Sequence, residues 1–203
     1  MTFDPISKTY PLVLASSSPR RRRLLEQIGL PFRVVASHIA EDQALSNPSN
    51  TAQSLAERKA EAVHRQLRPH WVLGADTVVV LGKAVLGKPR DAVDAHAMLL
   101  RLSGRSHRVI TGFCVLDPSW QKAHSEAVVT RVDVKRLSER EIRAYIATGE
   151  PLGKAGGYAI QGQGAFMIKG ISGSYTNVVG LPVCALIKAL VAVGAVEGFP
   201  LPA

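Results

Sequence analysis

Trp71 to Leu81 reads as one long apolar strand, WVLGADTVVVL, with a single acid, Asp76, inside it. Around it the chain alternates between strand and helix. Leu12 to Ala15 is a short apolar strand, and Ser18 caps a helix that has Pro19 at its first position and ends at Gly29. Phe32 to Ala36 reads as a second strand, followed by a polar loop to about Asn50 and an amphipathic helix from Thr51 to Leu67. Lys83 to Leu86 can pair with the long strand across Gly82, and Asp91 caps a helix that stops at Gly104. His107 to Leu116 and Ala123 to Lys135 form a hairpin joined near Asp117-Pro118. Ser138 with Glu141 makes a capping box for a helix to about Thr148. A glycine-rich segment follows, and a last apolar helix begins near Leu181. Strands mixed with helices, plus one long hairpin, predict an α/β fold with a mixed sheet. The 203 residues, 46% of them hydrophobic, suit one domain with a sizeable core, or a large lobe with a small second one.

Charge narrows the partner. Lys and Arg number 25 against 16 Asp and Glu, a net charge of +9, which favours an anion. Nucleic acid, nucleotide and an anionic membrane surface all satisfy that, although 5% aromatic residues is thin for stacking bases along a single strand. Cys114 and Cys184 lie far apart in apolar runs, so neither a disulfide framework nor a zinc site with its roughly four ligands is expected. Two buried free thiols in a reducing cytoplasm are the expectation. The start, MTFDPISKTYPLVLASSSP, lacks the charged and then apolar regions of a signal peptide. Leu181 to Val196 is broken by Lys188 and Gly194 and falls short of the roughly 18 uncharged apolar residues of a membrane span.

Four segments can carry chemistry. In SSSPRRRR, Ser16 to Arg23, a strand runs into a helix start rich in hydroxyls, where free N–H groups and the helix dipole favour an anion. With Leu24, Leu25 and Ile28 marking the inward face, Arg21 falls inside that sector and Arg20 at its rim, while Arg22 and Arg23 point away. Two such arginines can fork onto phosphates; a solvated basic run or a nucleic-acid patch is the plainer alternative. On the next helix, Lys59 shares the face of Leu55, Ala56, Val63 and Leu67, so its ammonium must find an anion or snorkel out. Asp76 in the long strand, with Thr77 beside it, is either a general base or metal ligand, or a structural carboxylate satisfied by backbone N–H groups. Gly87-Lys88-Pro89-Arg90 sets two cations before the following helix. Finally, nine of the 17 glycines fall between Gly149 and Gly180. That density permits close backbone approach to a ligand, with Glu150, Lys154 and Gln161 as the groups to present, or it makes a flexible surface loop. Gln161 offers both donor and acceptor to a base edge.

Other motifs are missing. His38, His64, His70, His96, His107 and His124 are scattered without metal-ligand spacing. Gly82 to Lys88 matches a Walker motif only as far as the lysine, because Pro89 stands where the hydroxyl belongs.

Taken in order, the segments 12–30, 55–63, 72–89 and 149–183 resemble the Maf family of nucleoside triphosphate pyrophosphatases. ASSSPRR, ADTVV, GKP and YAIQG together make that resemblance specific, and it runs from about Leu12 to the last helix as a single Maf-like domain, with residues 1–10 as an N-terminal extension. It implies a mixed, partly antiparallel twisted sheet flanked by helices, like that of inosine triphosphatases and compatible with two lobes and a cleft. It also implies hydrolysis of a nucleoside triphosphate to monophosphate and pyrophosphate with a divalent cation, Mg or Mn. Asp76 then takes the catalytic acceptor role, and Arg20, Thr77 and Gln161 the specificity positions. Ser16, Arg21, Lys59 and Lys88 serve phosphate or metal-site chemistry, and Glu41 joins Asp76 as a metal ligand. The IQG block looks like the branch acting on dTTP and UTP, not the one acting on 7-methyl-GTP. One departure is His38-Ile39-Ala40-Glu41, where the family often carries a DxDE-type stretch, so only Glu41 remains of its acids. The expectation is a cytoplasmic enzyme, on free nucleotides, needing neither nucleic acid nor membrane, with a homodimer as a compatible assembly. The same reaction on modified or purine nucleotides is an alternative. So is a basic nucleic-acid-binding or septum-regulating protein without turnover, a role with which the family has been associated.

Overall fold

The computed structural model describes residues 3–39, 47–65, 67 and 69–201. Among the described residues, seven strands and six α-helices follow one another as β1 (Leu12–Ala15), α1 (Pro19–Gln27), β2 (Phe32–Val34), α2 (Pro48–His64), β3 (Val72–Leu81), β4 (Ala84–Leu86), α3 (Ala92–Leu102), β5 (Ser106–Leu116), β6 (Lys122–Val134), α4 (Glu139–Ala147), β7 (Ile168–Ser172), α5 (Tyr175–Val179) and α6 (Val183–Ala192). The strands form one sheet in the order β2-β1-β3-β5-β6-β7, with β4 pairing β3 off that path. β1 runs parallel to β2 and β3, whereas β4 on β3 and β7 on β6 are antiparallel, so the sheet is mixed as the sequence predicts.

The chain forms two compact units. The first comprises Met1–Asp76, Thr111–Val128 and Gly180–Ala203; the second comprises Thr77–Ile110 and Val129–Val179. In the first, Val13 and Ala15 of β1, Val72 of β3, and Cys114 and Leu116 of β5 meet Ala56, Ala60 and Val63 of α2 in one apolar cluster. Two glycines allow α2 to lie this close: a Cβ at Gly74 would come 2.0 Å from the Ala56 carbonyl oxygen, and one at Gly112 would come 2.4 Å from Ala52 carbonyl atoms. Residues 3–10 also belong to this packing. Ile6 is buried and its N–H donates to the Ala195 carbonyl, while Trp71 Nε1 donates to the Asp4 carbonyl. In the second unit, Val79, Leu99, Leu102, Val109, Val132, Ile142, Tyr145 and Tyr158 form the core.

The helix ends follow their local signals. Pro19 begins α1, where Ser18 stands at the N-cap position but its side chain makes no capping hydrogen bond, and Asp91 Oδ1 accepts from the Asp94 N–H at the start of α3. Ser138 and Glu141 close a full capping box. Three expectations need correcting. α2 starts at Pro48, not Thr51, because Asn47 caps it by accepting from the Ser49 N–H and Pro48 needs no donor there. β7 and α5 lie inside the stretch read only as glycine-rich, where β7 is a short, mostly exposed strand with no apolar alternation. Cys184 is exposed while Cys114 is buried, since position 184 of α6 turns away from the side that buries Leu186, Ala189 and Leu190. No helix among the described residues is long and apolar enough to cross a membrane.

Candidate active site

Strand and helix periods build the centre of the first unit. Alternate residues of a strand share a face, so Gly74 and Asp76 both face α2. Positions three and four apart share a helix face, which sets Lys59 beside Ala56 and next to Ala60. The close approach at Gly74 therefore delivers one ammonium to one carboxylate: Lys59 Nζ donates to Asp76 Oδ1 at 2.6 Å, with side chains only 8% and 10% exposed. The apolar-face lysine has found its anion, and the lone acid of the long strand has found its counter-charge.

A second cluster forms where β1 runs into α1. Arg21 is buried, its Nε donating to the Gly180 carbonyl at 2.8 Å and its Nη1 to Ser16 Oγ at 3.0 Å. Ser16 Oγ also accepts from the Ser18 N–H. Arg20 is half-buried, and burial pulls its guanidinium below its ordinary pKa. It has no hydrogen bond or ion pair among the described residues. Arg22 and Arg23 are exposed, with Arg22 paired to Glu26 at 2.7 Å. The rim and inward positions of the helical phase thus hold the two arginines set into the fold.

In the second unit, the GKP turn and the glycine-rich segment meet. The Gly87 carbonyl accepts from the Gly156 N–H at 2.9 Å, which brings exposed Lys88 alongside that segment. Gly156 and Gly157 adopt φ of 73° and 70°, the left-handed region that glycine enters without strain. A Cβ at Gly156 would stand 3.1 Å from Val79 of β3, two residues beyond Thr77. Thr77 is half-buried and Gln161 exposed.

The sequence profile described as Maf-like protein matches residues 11–193. The chain belongs to the Maf family. A dTTP/UTP pyrophosphatase of Geobacter sp. (strain M21) is 50% identical over 189 residues, covering 93% of this Maf chain and 98% of its own length. Another, of Pelotomaculum thermopropionicum, is 52% identical over 176 residues, covering 86% and 92%. Among solved structures, a HAM1 protein from Coxiella burnetii shows a TM-score of 0.43 at 14% identity, covering 63% of this chain and 74% of its own. A dITP/XTP pyrophosphatase from Mycobacterium abscessus shows 0.39 at 15%, covering 63% and 75%. Both scores are low, and the mixed α/β assignment of this Maf chain stands on its own strand order.

Of the residues singled out in the Maf sequence, Ser16 and Arg21 touch, and so do Lys59 and Asp76. Glu41 lies outside the described residues. Among those described, no three His, Cys, Asp or Glu side chains are grouped to hold a metal. Glu150 and Lys154 need correcting as groups presented to a ligand. The Glu150 carboxylate turns inward, accepting from the Gln163 and Gly164 N–H groups at 3.0 and 2.8 Å and from the Tyr145 hydroxyl at 2.7 Å. Lys154 Nζ donates to the Glu150 carbonyl. Tyr145 and the His107–Tyr158 contact, at 2.7 Å, escape sequence reasoning altogether. Nothing in the spacing marks the hydroxyls of the two tyrosines.

Proposed function

We propose that this chain hydrolyses nucleoside triphosphates, dTTP and UTP before others, to the monophosphate and pyrophosphate. The buried Lys59–Asp76 pair carries the reading: one carboxylate is held ready beside an ammonium, in a chain about half identical to relatives named for this activity. Asp76 orients a water and takes its proton as the water oxygen bonds to the α-phosphorus. The bond from the α-phosphorus to the bridging oxygen breaks, and pyrophosphate leaves with that electron pair.

Arg20, a desolvated cation with no partner among the described residues, is suited to receive an anionic phosphate. Ser16 and Arg21 brace one another at the α1 start, and Lys59 keeps Asp76 in place. Lys88, exposed on its turn, adds positive charge for the leaving group. Thr77 and Gln161 are assigned to base selection. A uracil or thymine edge presents two carbonyls and one N–H, which an amide with a donor and an acceptor can match.

A single carboxylate, that of Asp76, would serve a divalent cation shared with substrate. Mg²⁺ is commonly held by one or two carboxylates with phosphate oxygens and water completing its shell, and Asp76 supplies one such carboxylate. Neutralisation of phosphate charge is the chemistry such a cation supplies when bound.

A panel of nucleoside triphosphates, with phosphate and pyrophosphate detected separately, tests the assignment. Pyrophosphate should appear first, and dTTP and UTP should turn over fastest. Orthophosphate released from dTTP in the absence of contaminating pyrophosphatase would overturn the reaction, and a clear purine preference would overturn the role of Gln161.

A further inference from the structure

The backbone on either side of Gln161 is fastened to one carboxylate and one phenol. Glu150 Oε1 accepts from the Gln163 N–H at 3.0 Å, and Oε2 accepts from the Gly164 N–H at 2.8 Å and from the Tyr145 hydroxyl at 2.7 Å. The Tyr145 oxygen in turn accepts from the Ala159 N–H at 3.1 Å. The fastened amides are thus two residues before Gln161 and two and three residues after it. Space confirms how closely this segment wraps the pair. A Cβ at Gly162 would sit 1.8 Å from Glu150 Oε1, and one at Gly164 would sit 2.7 Å from the Tyr145 hydroxyl oxygen. Tyr145 is 3% exposed, and Tyr158 and Ala159 are buried beside it, whereas Gln161 is exposed. Burial raises the Glu150 pKa, but the Tyr145 hydroxyl and the two N–H groups outweigh it and hold the carboxyl below its ordinary value. An ionised carboxylate accepting three hydrogen bonds is a strong and directional fastening.

We propose that Glu150, with Tyr145, is a positioning residue for base selection: it fixes the backbone from Ala159 to Gly164 so that the Gln161 amide is presented in one orientation, without touching the nucleotide. The inference rests on the reading of Gln161 as base selector. It adds the device that makes an exposed, rotamer-rich side chain selective. An amide on a loosely held backbone could follow either a thymine or a cytosine edge, and discrimination requires that the wrong edge meet a donor or acceptor that does not yield.

Two variants test it. Glu150→Gln replaces one acceptor oxygen by a donor that faces N–H or O–H groups. Tyr145→Phe removes only the hydroxyl and keeps the ring in the core, so it serves where the first variant folds poorly. Backbone hydrogen exchange is followed at Ala159, Gln163 and Gly164 in the nucleotide-free protein. In parallel, kcat/KM is measured for dTTP and dCTP, which share sugar and phosphates. Exchange at the three amides should speed up by ~10-fold or more, and the dTTP-to-dCTP ratio should fall by ~10-fold, the scale of one lost hydrogen bond. In a Gln161→Ala background, Glu150→Gln should change the ratio no further. A merely structural role would lower both substrates by the same factor, and that result overturns the proposal. So does unchanged exchange at the three amides. If exchange speeds up but Gln161→Ala alone leaves the ratio as it was, base selection by Gln161 is overturned, and the selective half of this inference with it.

Discussion

Lys59→Met would leave the Asp76 carboxylate 10% exposed and without its ammonium. Removing one partner of a buried pair costs about 3–5 kcal/mol, because the remaining charge stays desolvated and uncompensated. In a chain of this size each kcal/mol shifts the melting midpoint by about 2–4 °C, so a loss of about 3 kcal/mol lowers it by about 6–12 °C. Asp76→Asn should cost a comparable amount by stranding the ammonium. The double variant Lys59→Met/Asp76→Asn removes both charges of the pair. Neutral replacement of a buried pair is often tolerated, so it should recover most of the loss and show a coupling of about 2 kcal/mol or more.

Urea unfolding at pH 7 gives the three stabilities, and pyrophosphate release from dTTP gives the turnover. All three variants should lose at least ~10²-fold in turnover, in line with a lost general base. The informative result is a double variant that is nearly as stable as wild type and inactive, since stability alone would then not account for the pair. Two single losses below ~1 kcal/mol that simply add would refute the reasoning, as would an active Asp76→Asn variant.

Four further outcomes follow. Arg20→Ala should lower kcat/KM by about 1.5–3 kcal/mol, the range for a hydrogen bond to a charged group, with little change in melting temperature, while Arg22→Ala and Arg23→Ala leave kcat/KM near wild type; like behaviour of all three would mark a solvated patch. Arg21→Ala should also lower stability, since its donors hold the Gly180 carbonyl and Ser16 Oγ. Gly74→Ala should destabilise strongly, its Cβ meeting Ala56 backbone oxygen at 2.0 Å, whereas Gly170→Ala, with nothing within 4 Å, should fold normally; equal midpoints in a thermal melt would contradict the close approach of α2. Burial pushes His107 down to about 4, despite the opposing charge of Asp133, so the unfolded chain takes up a proton there first as pH falls. Its contribution is complete above about pH 6.5, the ordinary histidine value, and falls by up to roughly 3 kcal/mol as the pH drops to about 4. The pH profile of urea stability for wild type minus His107→Asn should show that slope, and a flat difference would refute it.

What was legible in the sequence was what repeats. Leu24, Leu25 and Ile28 gave α1 a phase, and that phase alone separated Arg20 and Arg21 from Arg22 and Arg23 as the structure separates them. The capping box at Ser138 and the Asp91 cap were readable because a cap is a local bargain between one side chain and one free N–H. The Asn47-Pro48 start of α2 was equally local and was passed over within a polar loop. β7 could not be found by alternation, since an edge strand exposed along most of its length has no face to bury. The identity of the family was carried by the order of short motifs, and the profile match over 11–193 follows the same stretch.

Lys59 and Asp76 were each anomalous for the same reason, a charge on an apolar face, and two anomalies of opposite sign in one core are a strong hint that they answer each other. The hint was readable because both sit on periodic elements whose inward faces can be phased from neighbouring apolar residues. Glu150 gave no such hint. Its partners are two backbone N–H groups and a tyrosine hydroxyl, none of which changes the hydropathy pattern. A carboxylate that binds irregular backbone looks, in sequence, like any polar residue in a turn. The fixed shape of a glycine-rich segment is therefore better sought in acids at its entrance than in the glycines themselves: the glycines permit the approach, as Gly162 does at a distance where no Cβ fits, and the acid supplies the force that holds it.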